Sequence, residues 1–436
     1  MKAKEVLLLV LIVFVGVVLY QARTGGIWID GDWEGPFGAG RTFDFEESLT
    51  LEGPIPPRIE VRNAHGDIEV RGADQETVTV TFLKEIRRRK EAEARDVANA
   101  LKPVIARDAG LLKIATNRDT FTKKGFNTSF RLVVPAGTDV RVVNSYGTVS
   151  ASGVLKCTID NPHGQVDAAD VAGDISITNS YEDVAVDRVG ASCRVSSRHA
   201  DVRVREARGD VRIDHSYGEV EVSDAAASAT IAAEHSQVSL LRVKGAADVR
   251  TTYEGISLVD VGPATVVGHH TGVTADGVGG ALKIATTYGT VRANGVRGDL
   301  EIEGRSVRVF GRSVAAGTIR IATSYEDLEL ADFTGRADIT MSHANAVLAP
   351  AAITASIDLK NAYGKVRFIW PRGVRLPFEA RSKGGEVKWG LAERPDLETT
   401  NGEALVKAFV GADEGISVTL STSYGDIVVE DGVPKS

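Results

Sequence analysis

Residues 179–222 read NSYEDVAVDRVGASCRVSSRHADVRVREARGDVRIDHSYGEVEV, and the predicted fold depends on the repeat that this stretch contains. An aromatic ring appears at Tyr181, His199 and Tyr217, so the ring recurs at a constant spacing of 18. A valine follows three places after each ring. Within each period two short segments alternate apolar and polar residues, as half-buried β-strands do. Each repeat therefore predicts two short strands and two turns.

The apolar position after the ring can be followed outward from this stretch in both directions. Its members are Val149, Val166, Val184, Val202, Val220, Val238, Ile256, Val273, Val291, Val307, Leu328, Ala346 and Val366. Successive members differ in number by 17 or 18 up to Val291, and then by 16, 21, 18 and 20. One repeat alone cannot bury its apolar face, so neighbouring repeats must stack. The pattern predicts a parallel β-solenoid, whose rungs at about 4.8 Å each make a rod roughly 60 Å long.

The length of one rung is open, because tyrosine and histidine alternate at the ring position and the full sequence unit spans two ring spacings. Rungs of about 18 residues would place all rings in one ladder, whereas rungs of twice that length would form two ladders on opposite sides. A wide interior needs many Leu and Phe, and this chain offers mainly Val, Ile and Ala, so the shorter rung is favoured. Cys157 and Cys193 are separated by one full sequence unit. They would be two rungs apart in the first case and neighbours, within reach of a disulfide, in the second.

Composition agrees with a thin repetitive core. Among 436 residues, aromatic residues make up 6% and glycine contributes 45, while small and β-branched residues predominate. The formal net charge is -8, with both signs dispersed along the chain, which predicts no basic face for nucleic acid or anionic lipid. Two cysteines permit at most one disulfide and exclude a disulfide-dense scaffold.

The N-terminal segment, residues 1–22, has the character of a membrane anchor. Lys2 and Lys4 precede an apolar run from Val6 to Tyr20, which is short for a transmembrane helix but can be extended by its flanks. A cleaved signal peptide, with secretion of the rest, is the alternative. Large residues stand where a cleavage site needs small ones, so an uncleaved signal anchor is favoured. The two lysines predict that everything after the anchor is exported to the periplasm or the exterior, as a single-pass protein of the cytoplasmic membrane.

The predicted organisation has five parts. Residues 1–22 form the transmembrane signal anchor, residues 23–45 a flexible glycine-rich linker, and residues 46–140 an N-terminal α+β cap. The cap contains one helix from Glu91 to Ala106, which Pro103 would end early, and a solvated charged run from Lys84 to Arg95. Residues 141–370 form the solenoid and residues 371–436 the C-terminal rungs and cap. The fold class is thus all-β, a single-stranded parallel β-solenoid (β-helix).

The ring position supplies the candidate binding residues. They are Tyr146, Tyr181, Tyr217, Tyr253, Tyr288, Tyr325, Tyr363, His163, His199 and His235, and the same column also contains His270 and His343. The favoured interpretation is a stacked ladder that keeps the turns in register. The alternative is a binding stripe for a protein or glycan. Metal binding is disfavoured because a tyrosine separates successive histidines by roughly 10 Å when the shorter rung is stacked.

Motifs of the common enzyme classes are missing from the sequence. There is no nucleophile elbow, phosphate loop, HExxH or CxxC. Polysaccharide-degrading β-helices need clustered carboxylates on one face, whereas Asp183, Asp201 and Asp327 occupy a turn position that Thr148 and Gln165 fill in other repeats. The sequence therefore predicts a protein without enzymatic activity, catalytic residues, metal ligands or cofactor.

Several segments resemble one known family. They are Asn63-Ala-His-Gly-Asp-Ile-Glu-Val70, Asn144-Ser-Tyr-Gly-Thr-Val149, Asn161-Pro-His-Gly-Gln-Val166, Asn361-Ala-Tyr-Gly-Lys-Val366 and Ser423-Tyr-Gly-Asp-Ile427. In these segments the chain resembles the bacterial "putative adhesin" domain-of-unknown-function family, over roughly residues 57–431. The resemblance implies a repetitive β-solenoid at or beyond the cytoplasmic membrane and implies no reaction. The Tyr and His positions depart from the small aliphatic residues of that family.

These observations favour an adhesin-like binding or scaffold module of the bacterial cell envelope, with protein or glycan partners and no nucleic acid. The first alternative is an accessory protein of envelope-stress signalling. The second is a carbohydrate-active β-helix enzyme.

Overall fold

The computed structural model describes residues 40–108, 110–122, 125–400, 403–409 and 415–432. Over these ranges the chain is an all-β parallel solenoid with about thirteen turns of roughly 18 residues, which confirms that part of the predicted fold class. The predicted signal anchor, residues 1–22, lies outside the described residues. None of the described helices has the length and apolar character needed to cross a membrane.

The N-terminal region contains seven strands and one α-helix. They are β1 (Arg41–Leu51), β2 (Arg58–Arg62), β3 (Ile68–Ala73), β4 (Val78–Arg88), α1 (Glu91–Ala100), β5 (Pro103–Asp108), β6 (Leu111–Thr116) and β7 (Phe126–Pro135), with a 3-10 turn at Arg118–Thr120 before β7. The first strand begins at Arg41, so residues 41–45 of the predicted linker belong to the folded region.

The solenoid proper contains two parallel strands in each rung, and some strands run through a turn without interruption. They are β8 (Asp139–Val143), β9 (Val149–Ser152), β10 (Lys156–Asn161), β11 (Val166–Val171), β12 (Ile175–Asn179), β13 (Val184–Val189), β14 (Cys193–Arg198), β15 (Val202–Ala207), β16 (Val211–Ser223), β17 (Ala229–Val243), β18 (Ala247–Thr252), β19 (Ile256–Val261), β20 (Ala264–His269), β21 (Val273–Val278), β22 (Leu282–Asn294), β23 (Leu300–Ser324), β24 (Leu328–Ser342), β25 (Ala346–Pro350), β26 (Ile357–Tyr363) and β27 (Val366–Trp370).

Strand register decides the rung length. Val184 pairs with Val166 on one side and with Val202 on the other, so each rung is stacked on its immediate neighbour in the repeat. The shorter rung is therefore confirmed and the longer alternative is wrong. Inward-facing Val, Ile, Leu and Ala fill the interior, as at Val184, which is 1% exposed. These inward-facing side chains are mainly small or β-branched, which suits a narrow interior.

One member of the predicted apolar column is wrong. Val291 pairs with Val309, and Val309 pairs with Leu328, so Val309 occupies the column where Val307 was predicted. The irregular spacings of 16 and 21 become 18 and 19. Val307 is buried as well, which explains why alternation alone did not distinguish the two valines.

At the N-terminal end the rungs stack out of chain order. Strands β6 and β7 pair with β2 and β3, which in turn pair with β8 and β9. The open edge of β7 is covered by β4 in antiparallel orientation, and β1 covers β4. The parallel sheet therefore ends in antiparallel strands, which protect the edge of the last rung.

Helix α1 is shorter than predicted. It ends at Ala100, and Pro103 begins β5, where Val104 is 47% exposed rather than on a helical face. Proline lacks the backbone N–H that a helix requires, which accounts for the early end. Lys84, predicted in a solvated run, is buried in β4 and donates hydrogen bonds to Glu47 and to the Ala98 carbonyl, both at 2.8 Å. It joins the helix to β1.

The C-terminal end repeats this departure from chain order. Its strands are β28 (Phe378–Ser382), β29 (Val387–Trp389), β30 (Asp396–Thr400), β31 (Glu403–Ala408), β32 (Val418–Tyr424) and β33 (Ile427–Asp431). Strands β32 and β33 lie between β26 and β27 on one side and β28 and β29 on the other. The last strands of the chain thus form an internal rung, and β31 and β30 continue the end sheet in antiparallel orientation.

Candidate binding ladder

The predicted ring residues form a stack in two parts along one turn of the solenoid, which we call the ring ladder. Neighbouring rings have centroids 4.5 to 5.9 Å apart and planes within 21° of parallel. The first part contains His65, Tyr146, His163, Tyr181, His199, Tyr217, His235, Tyr253, His270 and Tyr288. The second part contains Tyr325, His343, Tyr363 and Tyr424. All ten candidate residues belong to it.

Sequence analysis missed two members, His65 and Tyr424. His65 stacks on Tyr146 at 4.7 Å, and Tyr424 stacks on Tyr363 at 5.0 Å. Each lies in a segment with the same motif as the other rungs, and that motif was the available signal. The regular period did not predict their position in the stack. Both residues lie outside the continuous run of repeats and reach the stack through strand pairings between distant segments.

Backbone conformation and an internal polar column hold the rings in place. From His199 onward most ring residues adopt left-handed φ values, such as 63° at Tyr217. Two residues before the ring, inward-facing Asn side chains brace the turn in several rungs. The amides of Asn161 and Asn179 both donate to the carbonyl of Gly164, at 2.9 and 2.8 Å. These hydrogen bonds satisfy the carbonyl of the turn and fix the backbone from which the ring side chain projects.

Stacking decides which part of each ring a partner can reach. The tyrosines are 44 to 58% exposed. Spacings near 4.9 Å leave no room for another group between stacked planes, so the ring faces between neighbours are covered. The available surface therefore consists of ring edges, tyrosine hydroxyls and histidine nitrogens. Along the stack this surface favours hydrogen bonding and edge contacts over face-on stacking.

Carboxylates beside the ring ladder accept hydrogen bonds from the backbone of the adjacent turn. Asp183 accepts a hydrogen bond from the backbone N–H of Asp201 at 3.1 Å, and Asp201 accepts one from the backbone of Glu219 at 2.9 Å. Asp327 accepts one from Asn345 at 2.9 Å. Each such carboxylate ties one rung to the next. This structural use explains why Asp recurs in a column.

The opposite turn contains ion pairs between neighbouring rungs. Arg188 contacts Asp170 at 2.6 Å, and Arg242 contacts Asp224 at 2.6 Å. Hydrogen bonding from these guanidinium groups lowers the pKa of both aspartates. Because these ion pairs are exposed, each adds little to the free energy of unfolding. Their main effect is to align neighbouring rungs.

One rung separates the two cysteine thiols of the chain. Cys157 and Cys193 are buried and unpaired with each other, because Ile175 lies between them in the stack. Within the described ranges no group of three or more His, Cys, Asp or Glu side chains could hold a metal ion. An open groove of about 730 Å³ lies on the outer face of β9, β11 and β13 and contains no ring-ladder residue.

Comparison with known proteins leaves the chain without a demonstrated family. No family model matches it, and no curated protein matches it. A solved structure from Clostridium sporogenes, described as a "putative cell adhesion protein", aligns over 89% of this chain and 100% of its own, with 6% sequence identity and a TM-score of 0.20. At that score the likeness supports no argument about function.

Proposed function

We propose that the chain is a non-enzymatic, adhesin-like binding or scaffold module of the bacterial cell envelope, and that the ring ladder is its binding surface. The supporting observation is the ladder itself, an exposed stripe of ring edges repeated on successive rungs at spacings near 5.0 Å. Many equal weak contacts along one rod sum by avidity. The partner in this proposal is a protein or glycan that binds tyrosine hydroxyls and histidine nitrogens.

The proposed location rests on the N-terminal sequence. Lys2 and Lys4 before the apolar run would retain the N-terminus in the cytoplasm and export the solenoid. Fractionation of the full chain should find it uncut in the membrane, with its C-terminus accessible to protease from outside. Recovery of a soluble protein that begins near Arg23 would contradict the anchor and leave the binding proposal intact.

The binding proposal predicts a graded loss. Each single Tyr-to-Ser change should weaken binding slightly, and the fourfold variant should abolish it while the fold survives, because each ring edge adds a small increment. The variants are Tyr181→Ser, Tyr217→Ser, Tyr253→Ser and Tyr288→Ser. Binding of the full chain is measured on an array of envelope glycans and surface proteins, with circular dichroism as the folding check.

A matched control changes four exposed residues on a strand face away from the ladder. These are Arg194→Ser, Arg212→Ser, Thr265→Ser and Lys283→Ser. Binding should persist in this variant. Unchanged binding in the folded fourfold tyrosine variant would show that the rings only pack against one another and do not bind the partner. Loss of all function through one substitution, with the others silent, would indicate an enzyme.

A further inference from the structure

The ring ladder is interrupted at one rung only within its described length, and the interruption concerns the ring rather than the backbone. Ser306 occupies the ring position, three places before Val309, and its φ of 55° matches that of the neighbouring ring residues. At this turn the strands stay in register, with Gly289 opposite Val307 and Val309 opposite Leu328, and the one register shift between β23 and β24 lies further along, between Ala315 and Thr318. The stack therefore contains a rung without a ring.

Two tyrosines bound this gap. Tyr288 stacks on His270 at 4.8 Å, and Tyr325 stacks on His343 at 5.1 Å, each on the side away from the gap. Two rungs of about 4.8 Å place Tyr288 and Tyr325 roughly 10 Å apart. A single planar ring at the level of Ser306 would then lie about 5 Å from both, which is the spacing of the rest of the ladder.

We propose that the gap at Ser306 binds one aromatic side chain presented by a partner polypeptide. The alternation of the ladder makes this a histidine position, since the rings on both sides are tyrosines. Elsewhere an imidazole lies between two tyrosine rings, as His235 does between Tyr217 and Tyr253 at 5.0 and 4.9 Å. An incoming imidazole or phenol ring would make the same contacts. This proposal does not depend on the binding role of the remaining ladder.

The walls of the gap explain why a side chain fits it better than a sugar. They are the faces of Tyr288 and Tyr325 that do not stack on His270 or His343. An aromatic ring at the end of a side chain enters between them edge first from solvent, with its attachment pointing outward, and its two apolar faces cover both tyrosine rings. A pyranose carries hydroxyl groups around its whole edge, and those held between the two rings would lose water without gaining hydrogen-bond partners.

The surroundings leave room for the partner and contain one internal competitor. The strand face that precedes the ring position is a shallow open depression, lined by Gly304, Thr323 and Ser324 among others. Arg308 is engaged by Glu326 at 2.9 Å. Arg305 is exposed next to Ser306, and its flat guanidinium is the group of this chain that would compete for the gap.

The test uses the full chain and ligand-observed NMR. The probes are N-acetylhistidinamide and N-acetyltyrosinamide, with N-acetylleucinamide and methyl β-glucoside for comparison. The aromatic amides should show saturation transfer that Ser306→Tyr and Ser306→His reduce at least tenfold, because the new ring fills the gap. Thr265→Tyr, on an exposed strand face, adds a ring elsewhere and should leave the signal unchanged.

Other results would overturn the proposal. These are equal transfer to the leucine amide, stronger transfer to the glucoside, or an unchanged signal in Ser306→Tyr. A signal that appears only in Arg305→Ala would show that the arginine occupies the gap in the natural chain. Circular dichroism excludes misfolding of the variants. If Ser306→Tyr loses probe binding but keeps partner binding on the array, the two proposals are separated.

Discussion

Glycine at position 147 is required by the close approach of two turns. Its φ is 112°, and a Cβ added there would lie 2.5 Å from the carbonyl oxygen of Gly66 in the adjacent rung. Gly147→Ala should therefore lower the free energy of unfolding by roughly 1 to 3 kcal/mol or more, since both the conformation and the contact become strained. Urea denaturation measures the change.

The control for this prediction is Gly137→Ala. No atom lies within 4 Å of a Cβ added at Gly137, and its φ is not in the left-handed region. This change should be nearly neutral or slightly stabilising. Equal stability of Gly147→Ala and Gly137→Ala would show that the turns can separate at little cost.

His215 makes the stability of the fold depend on pH. It lies in the internal polar column, where burial lowers its pKa. The backbone of Ser197 raises the pKa, but by less than burial lowers it. The unfolded chain then binds more protons than the folded one. Stability is full above the unfolded pKa of about 6.5 and falls as the pH drops through the folded value.

Asparagine offers a substitution that removes this titration. Asn179 fills the equivalent position two rungs earlier, so His215→Asn should preserve the turn. The urea midpoint should fall less between pH 7 and pH 5 in the variant than in the natural protein. An identical fall in both would mean that His215 does not contribute to the acid sensitivity.

At the scale of strands, the stacking of successive rungs separates the two thiols. Strands β10, β12 and β14 place Cys157, Ile175 and Cys193 in one inward column. Burial raises the pKa of each thiol to about 12, with a contribution from Asp139 at Cys157. Thiolate is the reactive form, so both cysteines should be inert in the folded protein.

The prediction for the thiols is measured with a colorimetric disulfide reagent at pH 8. Native protein should react negligibly over minutes, and urea-unfolded protein should release two thiols per chain, which matches its two cysteines. Rapid reaction of one thiol in the native protein would indicate local opening of β10 or β14. A thiol count below two after unfolding would indicate a disulfide.

For the whole molecule, the solenoid extends beyond its thirteen consecutive rungs by two strand pairs at each end. The pair β32 and β33 separates β28 and β29 from the rest of the stack. Strand β29 pairs with β33 alone among the described strands. A truncation that removes residues 416–436 should therefore release residues 378–389 as well, because their parallel partners are lost.

Hydrogen exchange measures this effect. In the truncated chain, residues 378–389 should exchange as fast as unfolded chain, while β24 and β25 keep their protection. Removal of residues 433–436 alone is the control and should change nothing in β28 or β29. Persistent protection of residues 378–389 would show that these strands can pair directly with β26 and β27.

The repeat in the sequence was enough to predict the stacked rungs, the thin core and most of the ring ladder. Each rung pairs with the rung that follows it in the chain, so Val166, Val184 and Val202 reveal their spatial neighbours through a local period. Composition favoured the shorter rung because small β-branched side chains cannot fill a wide interior, and strand register then excluded the wider one. The identity of the ring residues followed from the same period.

The two ends of the solenoid, the register near the gap and the burial of Lys84 followed from tertiary contacts. His65 and Tyr424 join the ladder through pairings between segments distant in the chain, and such pairings have no period to read. Val309 replaced Val307 in the column because both valines are buried and only strand register distinguishes them. Lys84 is buried in a charged run because Glu47 and the C-terminal part of α1 surround its ammonium group. In each case the deciding contact is made by residues that the local sequence does not contain.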